Sequence, residues 1–250
     1  MAIAFIPARA NSKGLPGKNK LLCGGKPLYR WSIEAAEQSK NIEKIILSTD
    51  DPDLLFEPTA LQRPAHLAQD ESSTLSVVSY LIDALKIYEP MSGQVVEDDL
   101  PKDGLFVLLQ PTSPLRTGKH IDEAISLLQN SEASCVVSVQ RAHHLLWEES
   151  KGDGAVDRSP TPLAAKLGQP LYNVSRRPRR QEMSQFSENG AIYVFTHELW
   201  NDVGNYLGGK IALYEMGDVE SLQVDTEFDM WLCDQVMKRQ QSLWSTSLLT

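Results

Sequence analysis

Uninterrupted apolar runs, each followed by polar residues, constrain the fold of this chain more than any other feature. Residues 2–6 have no polar alternation and are typical of a strand buried on both faces. An amphipathic segment at 29–38 and a second apolar run at 44–50 follow them. The order strand, helix, strand predicts a βαβ unit and hence a sheet whose strands are mostly parallel.

The same alternation continues along the chain. Further buried strands are predicted at 105–110, 134–139, 189–195 and 210–216. Amphipathic helices are predicted at 74–88, 119–129 and 226–239. Together these elements predict an α/β fold with a Rossmann-like, mostly parallel sheet flanked by helices. The whole chain, residues 1–250, is predicted to be one domain, interrupted at 140–188 by a weakly periodic insertion rich in Arg, Pro, Gly and Ser.

A cationic loop follows the first predicted strand. It contains four cations and three turn-forming residues: Arg9, Lys13, Lys18, Lys20, Gly14, Pro16 and Gly17. Backbone amides beside glycines approach anions closely, which favours a polyphosphate site, although a basic surface loop also fits these residues. The spacing is not that of a Walker A motif, and no GxGxxG fingerprint follows the first strand. A phosphate site here is therefore of another type.

Composition narrows the partners. The net charge of −9 argues against broad binding to nucleic acid, whereas one basic loop on an acidic chain indicates a small anionic ligand. The three cysteines are far apart and form neither a zinc motif nor a disulfide framework, which predicts a reducing, cytoplasmic location. No apolar stretch reaches the ~18 residues of a membrane span, and the N-terminus has no signal-peptide pattern, so no membrane partner is expected.

Segments spread over nearly the whole chain resemble the acylneuraminate cytidylyltransferase (CMP-sialic acid synthetase) family. Residues 6–19, IPARANSKGLPGKN, resemble the family's IPARxxSKxxPxKN loop, and residues 109–116 match LQPTSPLR. Shorter matches follow the family's order: STDD at 48–51, RPAHLAQDESS at 63–73, RQ at 180–181, NGAIY at 189–193 and VDTEFD at 224–229. Kdo cytidylyltransferases fit less well, because their first loop has Thr and Arg at Lys13 and Gly14, and Pro at Asn19.

The resemblance implies a fold and a reaction. The fold is that of the nucleotide-diphospho-sugar transferases, with the insertion at 140–188 contributing to a homodimer and to the sugar site. In the reaction, the anomeric hydroxyl of an acidic nine-carbon sugar attacks the α-phosphate of CTP in the presence of Mg²⁺, giving a CMP-sugar and pyrophosphate. Such a transfer depends on positioning and charge stabilisation more than on covalent catalysis. The sugar acid stays open among neuraminate, Kdn, legionaminate, pseudaminate and Kdo.

The resemblance also implies roles for individual residues. The catalytic residues that neutralise the triphosphate are Arg9, Lys13 and Lys18, with further donors from Ser12 and the Gly14 amide. The remaining nucleotide contacts are Asn19, Arg63 and the segment from Ser72 to Thr74, in which Ser73 and Thr74 are the expected contact residues. The sugar contacts are Gln110, Tyr193 and Arg180, whose guanidinium suits a carboxylate.

The residues alone leave other roles open. Arg63 also fits a structural ion pair, Gln110 a strand-end cap, and Tyr193 a position in the core. The arginines at 176, 177, 179 and 180 fit a solvated face or a subunit contact equally well, and any of them suits the sugar carboxylate.

The magnesium site is where this sequence departs from the family. The family commonly carries two carboxylates as DxD near its end, but here Gln223 occupies the first position and Asp225 the second. An amide supplies an oxygen but no charge, so Asp225 is the predicted metal ligand. Two other functions stay open: a nucleotide-binding homologue with weakened catalysis, and a nucleotide-sugar glycosyltransferase that uses the DxD of Asp51 and Asp53.

Overall fold

A computed structural model describes residues 1–12, 14–87, 104–149 and 168–247, without the side chains of residues 86, 87, 180 and 241–247. The chain divides into two compact units. One comprises Met1–Gln140 with Glu188–Thr250, and the other comprises Arg141–Ser187.

The described residues form eleven strands and five α-helices. In chain order the strands are β1 (Ala2–Pro7), β2 (Leu22–Cys23), β3 (Lys26–Pro27), β4 (Ile42–Thr49), β5 (Ala60–Gln62), β6 (Leu105–Leu108), β7 (Cys135–Ala142), β8 (Trp147–Glu149), β9 (Gly168–Pro170), β10 (Gln185–Thr196) and β11 (Ile211–Glu215). The helices are α1 (Leu28–Gln38), α2 (Thr74–Ile87), α3 (Gly118–Gln129), α4 (His197–Val203) and α5 (Glu227–Ser247).

Seven of these strands form one sheet in the order β11-β7-β10-β6-β1-β4-β5. β1 is parallel to both of its neighbours, β4 and β6, and the pairs β4–β5 and β7–β11 are also parallel. Within this sheet, only the pairing of β10 with β6 is antiparallel among the registers described. The predicted α/β fold with a mostly parallel sheet is therefore confirmed.

Burial on both faces explains why the central strands have no polar alternation. On one face, Ala4 and Ile6 of β1 pack with Ile33 of α1 and Ile125 of α3 in a single apolar cluster. On the other face, the ring of Phe5 stacks on that of Phe106 with their centroids 5.3 Å apart. The side chains on both faces of β1 are thus buried, which is why its sequence is a continuous apolar run.

Four local features differ from the sequence-based predictions. The sequence predicts neither the three-residue edge strand β5 nor the seven-residue helix α4. Asp51 and the proline after it resemble a helix start, but only a short 3-10 turn, Leu54–Phe56, follows. The closing helix α5 ends at Ser247, eight residues beyond its predicted end. Within the described ranges, no helix is both long and apolar enough to cross a membrane.

The parallel central strands place several loops at one edge of the sheet. β1, β4 and β6 run in the same direction, so the segments after Pro7, Thr49 and Leu108 emerge together. In open α/β sheets ligands bind outside the carboxyl ends of the strands. A ligand site is therefore expected at this edge.

Candidate active site

A cleft of about 400 Å³ opens at the carboxyl ends of β1 and β6. Four chain segments, all from the unit Met1–Gln140 with Glu188–Thr250, supply its lining: Pro7, Arg9, Ser12, Gly14, Lys18 and Asn19; Arg63, Asp70, Ser72, Thr74 and Val77; Gln110, Pro111 and Thr112; and Asp225. A larger cavity of about 640 Å³ lies beside α1 and α5 and contains none of the predicted site residues.

The cleft brings together most of the side chains that the sequence singled out. The predicted residues in its lining are Arg9, Ser12, Gly14, Lys18, Asn19, Arg63, Ser72, Thr74, Gln110 and Asp225. Lys13 and the side chain of Arg180 lie outside the described part of the chain. Residues separated by more than 200 positions thus share one surface, although the roles assigned to them stay predictions.

Two predicted contacts lie elsewhere. The hydroxyl of Ser73 accepts a hydrogen bond from the Ser76 backbone N–H at 3.1 Å, within the first turn of α2. Tyr193 is only 5% exposed, and its hydroxyl donates to Glu188 Oε2 at 3.1 Å. Burial, together with the Glu188 carboxylate, raises the pKa of Tyr193. Neither residue lines the cleft, and Tyr193 occupies a core position.

The cationic loop and the Asp225 segment meet at very short range. A Cβ atom on Gly14 would lie 2.7 Å from the backbone oxygen of Asp225, a distance that real Cβ atoms do not reach. Any larger residue at position 14 would push the two segments apart. On the loop's other side, the Asn19 amide donates to the Arg9 carbonyl at 2.9 Å and fixes the loop internally.

Lys18 connects this loop to the predicted metal ligand. Its Nζ atom donates to Asp225 Oδ1 and to the Val224 carbonyl, both at 2.9 Å. The Lys18 side chain is 12% exposed, whereas that of Asp225 is 63% exposed and open to solvent. Val224 itself is fully buried, and its N–H donates to the Thr112 carbonyl at 2.8 Å. The carboxylate is therefore held on a rigid backbone but remains accessible.

Arg63 is a buried cation directed to the same cleft. Its guanidinium donates to the Ser48 hydroxyl at 3.2 Å and to the Ser48 carbonyl at 2.9 Å, and the residue is 4% exposed. Burial lowers the pKa of Arg63 to about 10, so the group stays protonated at neutral pH. Within the described part of the chain it makes no ion pair, which favours a role in anion binding over the structural ion pair.

The charge of the lining differs from that of the whole chain. Three described cations face two carboxylates, Asp70 and Asp225, so the lining is net positive in a chain of net charge −9. Arg9 Nη1 forms an ion pair with Asp70 Oδ1 at 2.9 Å, so part of the positive charge of the lining is balanced within the cleft. A net positive cleft with backbone amides nearby suits a polyphosphate.

The residues around Asp225 fit a magnesium ion. Thr112, another lining residue, has a buried hydroxyl without a hydrogen-bond partner in the described structure. Mg²⁺ prefers oxygen ligands and is commonly held by one or two carboxylates together with substrate phosphates and waters. Among the described residues, no group of three or more His, Cys, Asp or Glu side chains is placed to hold a metal.

The DxD of Asp51 and Asp53 has a structural role. Lys20 Nζ lies 3.0 Å from Asp51 Oδ2 and 2.7 Å from Asp53 Oδ2. Asp51 Oδ1 also accepts from the Asp53 N–H at 3.0 Å, and Asp51 is only 4% exposed. Neither carboxylate lines the cleft. Because Asp51 and Asp53 pair with Lys20 outside the cleft, this DxD gives no support to a glycosyltransferase function.

Sequence reasoning missed two polar residues of the lining, Asp70 and Thr112. Both stand inside segments that carry the family resemblance, RPAHLAQDESS and LQPTSPLR. Their position in those segments was the available signal. A lone Thr or Asp in a loop gives no sign of its own that it faces a ligand.

A family model described as Cytidylyltransferase matches residues 3–151. The N-acylneuraminate cytidylyltransferase of Escherichia coli O18:K1:H7 is 32% identical over 243 residues, covering 95% of this chain and 52% of that protein. The N-acylneuraminate cytidylyltransferase of Streptococcus agalactiae serotype V is 32% identical, and the match covers 91% of this chain and 51% of that protein. The N-acylneuraminate cytidylyltransferase of Oncorhynchus mykiss is 29% identical, and the match covers 94% of this chain and 50% of that protein. The chain spans about half the length of these curated relatives.

Solved structures share the fold. CMP:2-keto-3-deoxy-manno-octonic acid synthetase complexed with CTP superposes with a TM-score of 0.63 at 16% identity, covering 96% of this chain and 99% of that one. A 4-diphosphocytidyl-2C-methyl-D-erythritol synthase superposes with a TM-score of 0.60 at 12% identity, covering 94% and 98%. At such identities the likeness confirms the fold class alone.

Proposed function

Because the chain belongs to the cytidylyltransferase family, we propose that it transfers a cytidylyl group from CTP to an acidic nine-carbon sugar. The anomeric hydroxyl attacks the α-phosphorus, its oxygen forms the new P–O bond, and the bond to pyrophosphate breaks. The sugar is N-acylneuraminate-like, as in the names of the three relatives. The observation that carries the proposal is the single cleft that joins the cationic loop, Arg63, Gln110 and Asp225.

The described cations bind and orient the triphosphate. Lys18 is almost fully buried along its stem and held by two hydrogen bonds, so its charge is preorganised. Arg63 supplies a second fixed charge in the cleft lining because Ser48 orients its guanidinium. Lys13 is proposed as a further triphosphate contact from its place in the loop. These groups stabilise the charge that develops on the phosphate oxygens.

Mg²⁺ is the proposed cofactor, and Asp225 would hold it, with the hydroxyl of Thr112 nearby on the neighbouring segment. When bound, the ion would supply positive charge to the phosphate oxygens. Lys18 keeps the Asp225 carboxylate in position and balances its charge. Sugar contacts by Arg180 and a homodimer formed through residues 140–188 are part of the same proposal.

A reducing, cytoplasmic compartment completes the proposal. Cys23, Cys135 and Cys233 are all free thiols and all buried in the described structure. Thiols of this kind are common in proteins of reducing compartments.

The proposal is tested by pyrophosphate release from CTP and Mg²⁺ with N-acetylneuraminate, Kdn, legionaminate, pseudaminate and Kdo, each in a separate reaction. We expect turnover with an N-acylated nine-carbon acid. Turnover with Kdo alone would reassign the substrate to the Kdo type. If folded protein binds CTP but releases no pyrophosphate with any sugar, the chain is a nucleotide-binding homologue and the catalytic proposal is wrong.

A further inference from the structure

The side-chain amides of Gln110 and Gln223 meet at Gly190. A Cβ atom on Gly190 would lie 2.9 Å from Gln110 Oε1 and 3.3 Å from Gln223 Oε1, so both amides border the same small space. Gly190 has a φ of +65°, in the left-handed region that favours glycine. A residue with a side chain would be strained there and would fill the space between the amides.

Both amides are available to a ligand. The Gln110 carbonyl of the backbone accepts from Arg116 at 3.2 Å, but neither side-chain amide has a hydrogen-bond partner among the described residues. Both residues are half-buried. Two neighbouring carboxamides without a described protein partner leave their donors and acceptors open to a polar ligand.

A buried hydrogen-bond network fixes the backbone that carries Gly190 to the segment that carries Gln223. The Asn189 side chain accepts from the Ser138 hydroxyl at 2.6 Å and donates to the Ser221 hydroxyl at 2.9 Å. Asn189 precedes Gly190 directly, and Ser221 stands two residues before Gln223. Asn189 is 1% exposed, so the connection is shielded from water.

Arg116 fixes Gln110 to the same frame. Its buried guanidinium donates to the Gln110 carbonyl at 3.2 Å and to the Ala191 carbonyl at 2.7 Å. Buried hydrogen bonds therefore hold together the backbone segments that carry the two amides. A selective binding site requires such preorganisation.

We propose that Gln110 and Gln223 form an amide pair that binds the acylamino substituent of the sugar, which makes Gln223 a specificity-determining residue. An acylamino group offers one N–H donor and one carbonyl acceptor, and two carboxamides supply the matching acceptor and donor. The pair is uncharged, as is the substituent. Gln110 also lines the cleft, so the amide pair adjoins the nucleotide-binding residues. This inference rests on the proposed function.

The amide pair gives Gln223 a role other than that of the missing metal carboxylate. Its oxygen lies beside Gly190 and Gln110, and Gln223 is not among the residues that line the cleft with Asp225. The metal dependence of turnover should therefore not depend on the polarity of side chain 223.

The test compares Gln223→Met with the unsubstituted chain on N-acetylneuraminate and on Kdn, which carries a hydroxyl in place of the acylamino group. Methionine keeps the length of the side chain but removes its donor and acceptor. We expect the ratio of kcat/KM for N-acetylneuraminate over Kdn to fall by roughly tenfold, the scale of one lost hydrogen bond to a ligand built to receive it. Gln110→Met should shift the ratio in the same direction, and the Mg²⁺ concentration for half-maximal rate should be unchanged in Gln223→Met.

An unchanged ratio, or a shifted Mg²⁺ requirement, in folded Gln223→Met would overturn the amide pair and leave the proposed function intact. If that variant does not fold, Gln223→Asn, which withdraws the amide by one methylene, should lower the same ratio, and an unchanged ratio would count equally against the pair. Unsubstituted protein that prefers Kdn also refutes the pair. Absence of turnover with every sugar refutes the proposed function and the pair with it.

Discussion

Replacing Lys18 with alanine tests whether the loop is catalytic or merely structural. In the structure Lys18 Nζ makes two hydrogen bonds of 2.9 Å, one to Asp225 and one to the Val224 carbonyl. If Lys18 stabilises charge on the transferring phosphate, removing one preorganised donor should lower kcat by roughly 10²–10³, equivalent to about 2.7–4 kcal/mol.

The expected effect on stability is much smaller. Asp225 is 63% exposed, so its ion pair with Lys18 contributes at most about 1 kcal/mol. The lost donor to Val224 adds about 1 kcal/mol, because removal of the Lys18 side chain from the cleft lining lets water reach that otherwise buried carbonyl. A catalytic role therefore predicts a loss of activity that exceeds the loss of folding free energy.

Two measurements separate the two effects: pyrophosphate release at saturating CTP and sugar, and urea unfolding of the same preparation. Lys119→Ala is the matched control, because it removes one lysine whose side chain is 80% exposed on α3. A kcat of Lys18→Ala within threefold of the unsubstituted chain would refute the assigned role. So would a loss of activity that parallels a loss of folded protein.

Two further predictions concern the frame of the fold. Asn189→Ala should lower the free energy of unfolding by about 2–4 kcal/mol, because it removes the acceptor of the buried Ser138 hydroxyl and the donor to the buried Ser221 hydroxyl. Asn173→Ala, which removes one exposed turn contact, should change it by less than about 1 kcal/mol in the same urea titration. Burial opposes ionisation of Asp122, but hydrogen bonds from Ser39 and the following backbone outweigh it and hold its pKa below the ordinary 3.8. Asp122→Asn should therefore be less stable than the unsubstituted chain at pH 7, and the difference should shrink as pH falls below 3.8 through the folded-state pKa; a difference that is constant from pH 7 to pH 2.5 would contradict the assignment.

The central strands were predictable because each is buried on both faces. A strand such as β1 then reads as an apolar run, and the helix after it as a 3.6-residue pattern. β5 escaped prediction because three residues are too few to show a period. α4 has seven residues and is defined by its cap, in which Thr196 Oγ1 accepts from the Leu199 N–H at 3.0 Å. Such caps are common in loops and do not single out a helix.

The residue types of the candidate site were predictable, but their pairing was not. The sequence shows a lysine in a glycine-containing loop and an aspartate near the closing helix, yet 207 positions separate Lys18 from Asp225. Only the fold brings them to 2.9 Å. Tyr193 illustrates the converse: every residue of β10 from Asn189 to Phe195 is buried, so alternation along the strand could not say which side chain faces a ligand.

The substitution of glutamine for a metal carboxylate becomes reasonable once its surroundings are known. A carboxylate at position 223 would stand in half-buried surroundings beside the Gln110 amide oxygen, while Lys18 already pairs with Asp225. Such a group would pay for desolvation without a described cation to offset it, and its pKa would rise. A neutral amide avoids that cost and keeps the donor and acceptor that an uncharged substituent needs. The cleft thus has a cationic lining, suited to phosphates, and at Gln110 it adjoins an uncharged site beside Gly190. The residue that distinguishes this chain from the DxD pattern belongs to that uncharged site.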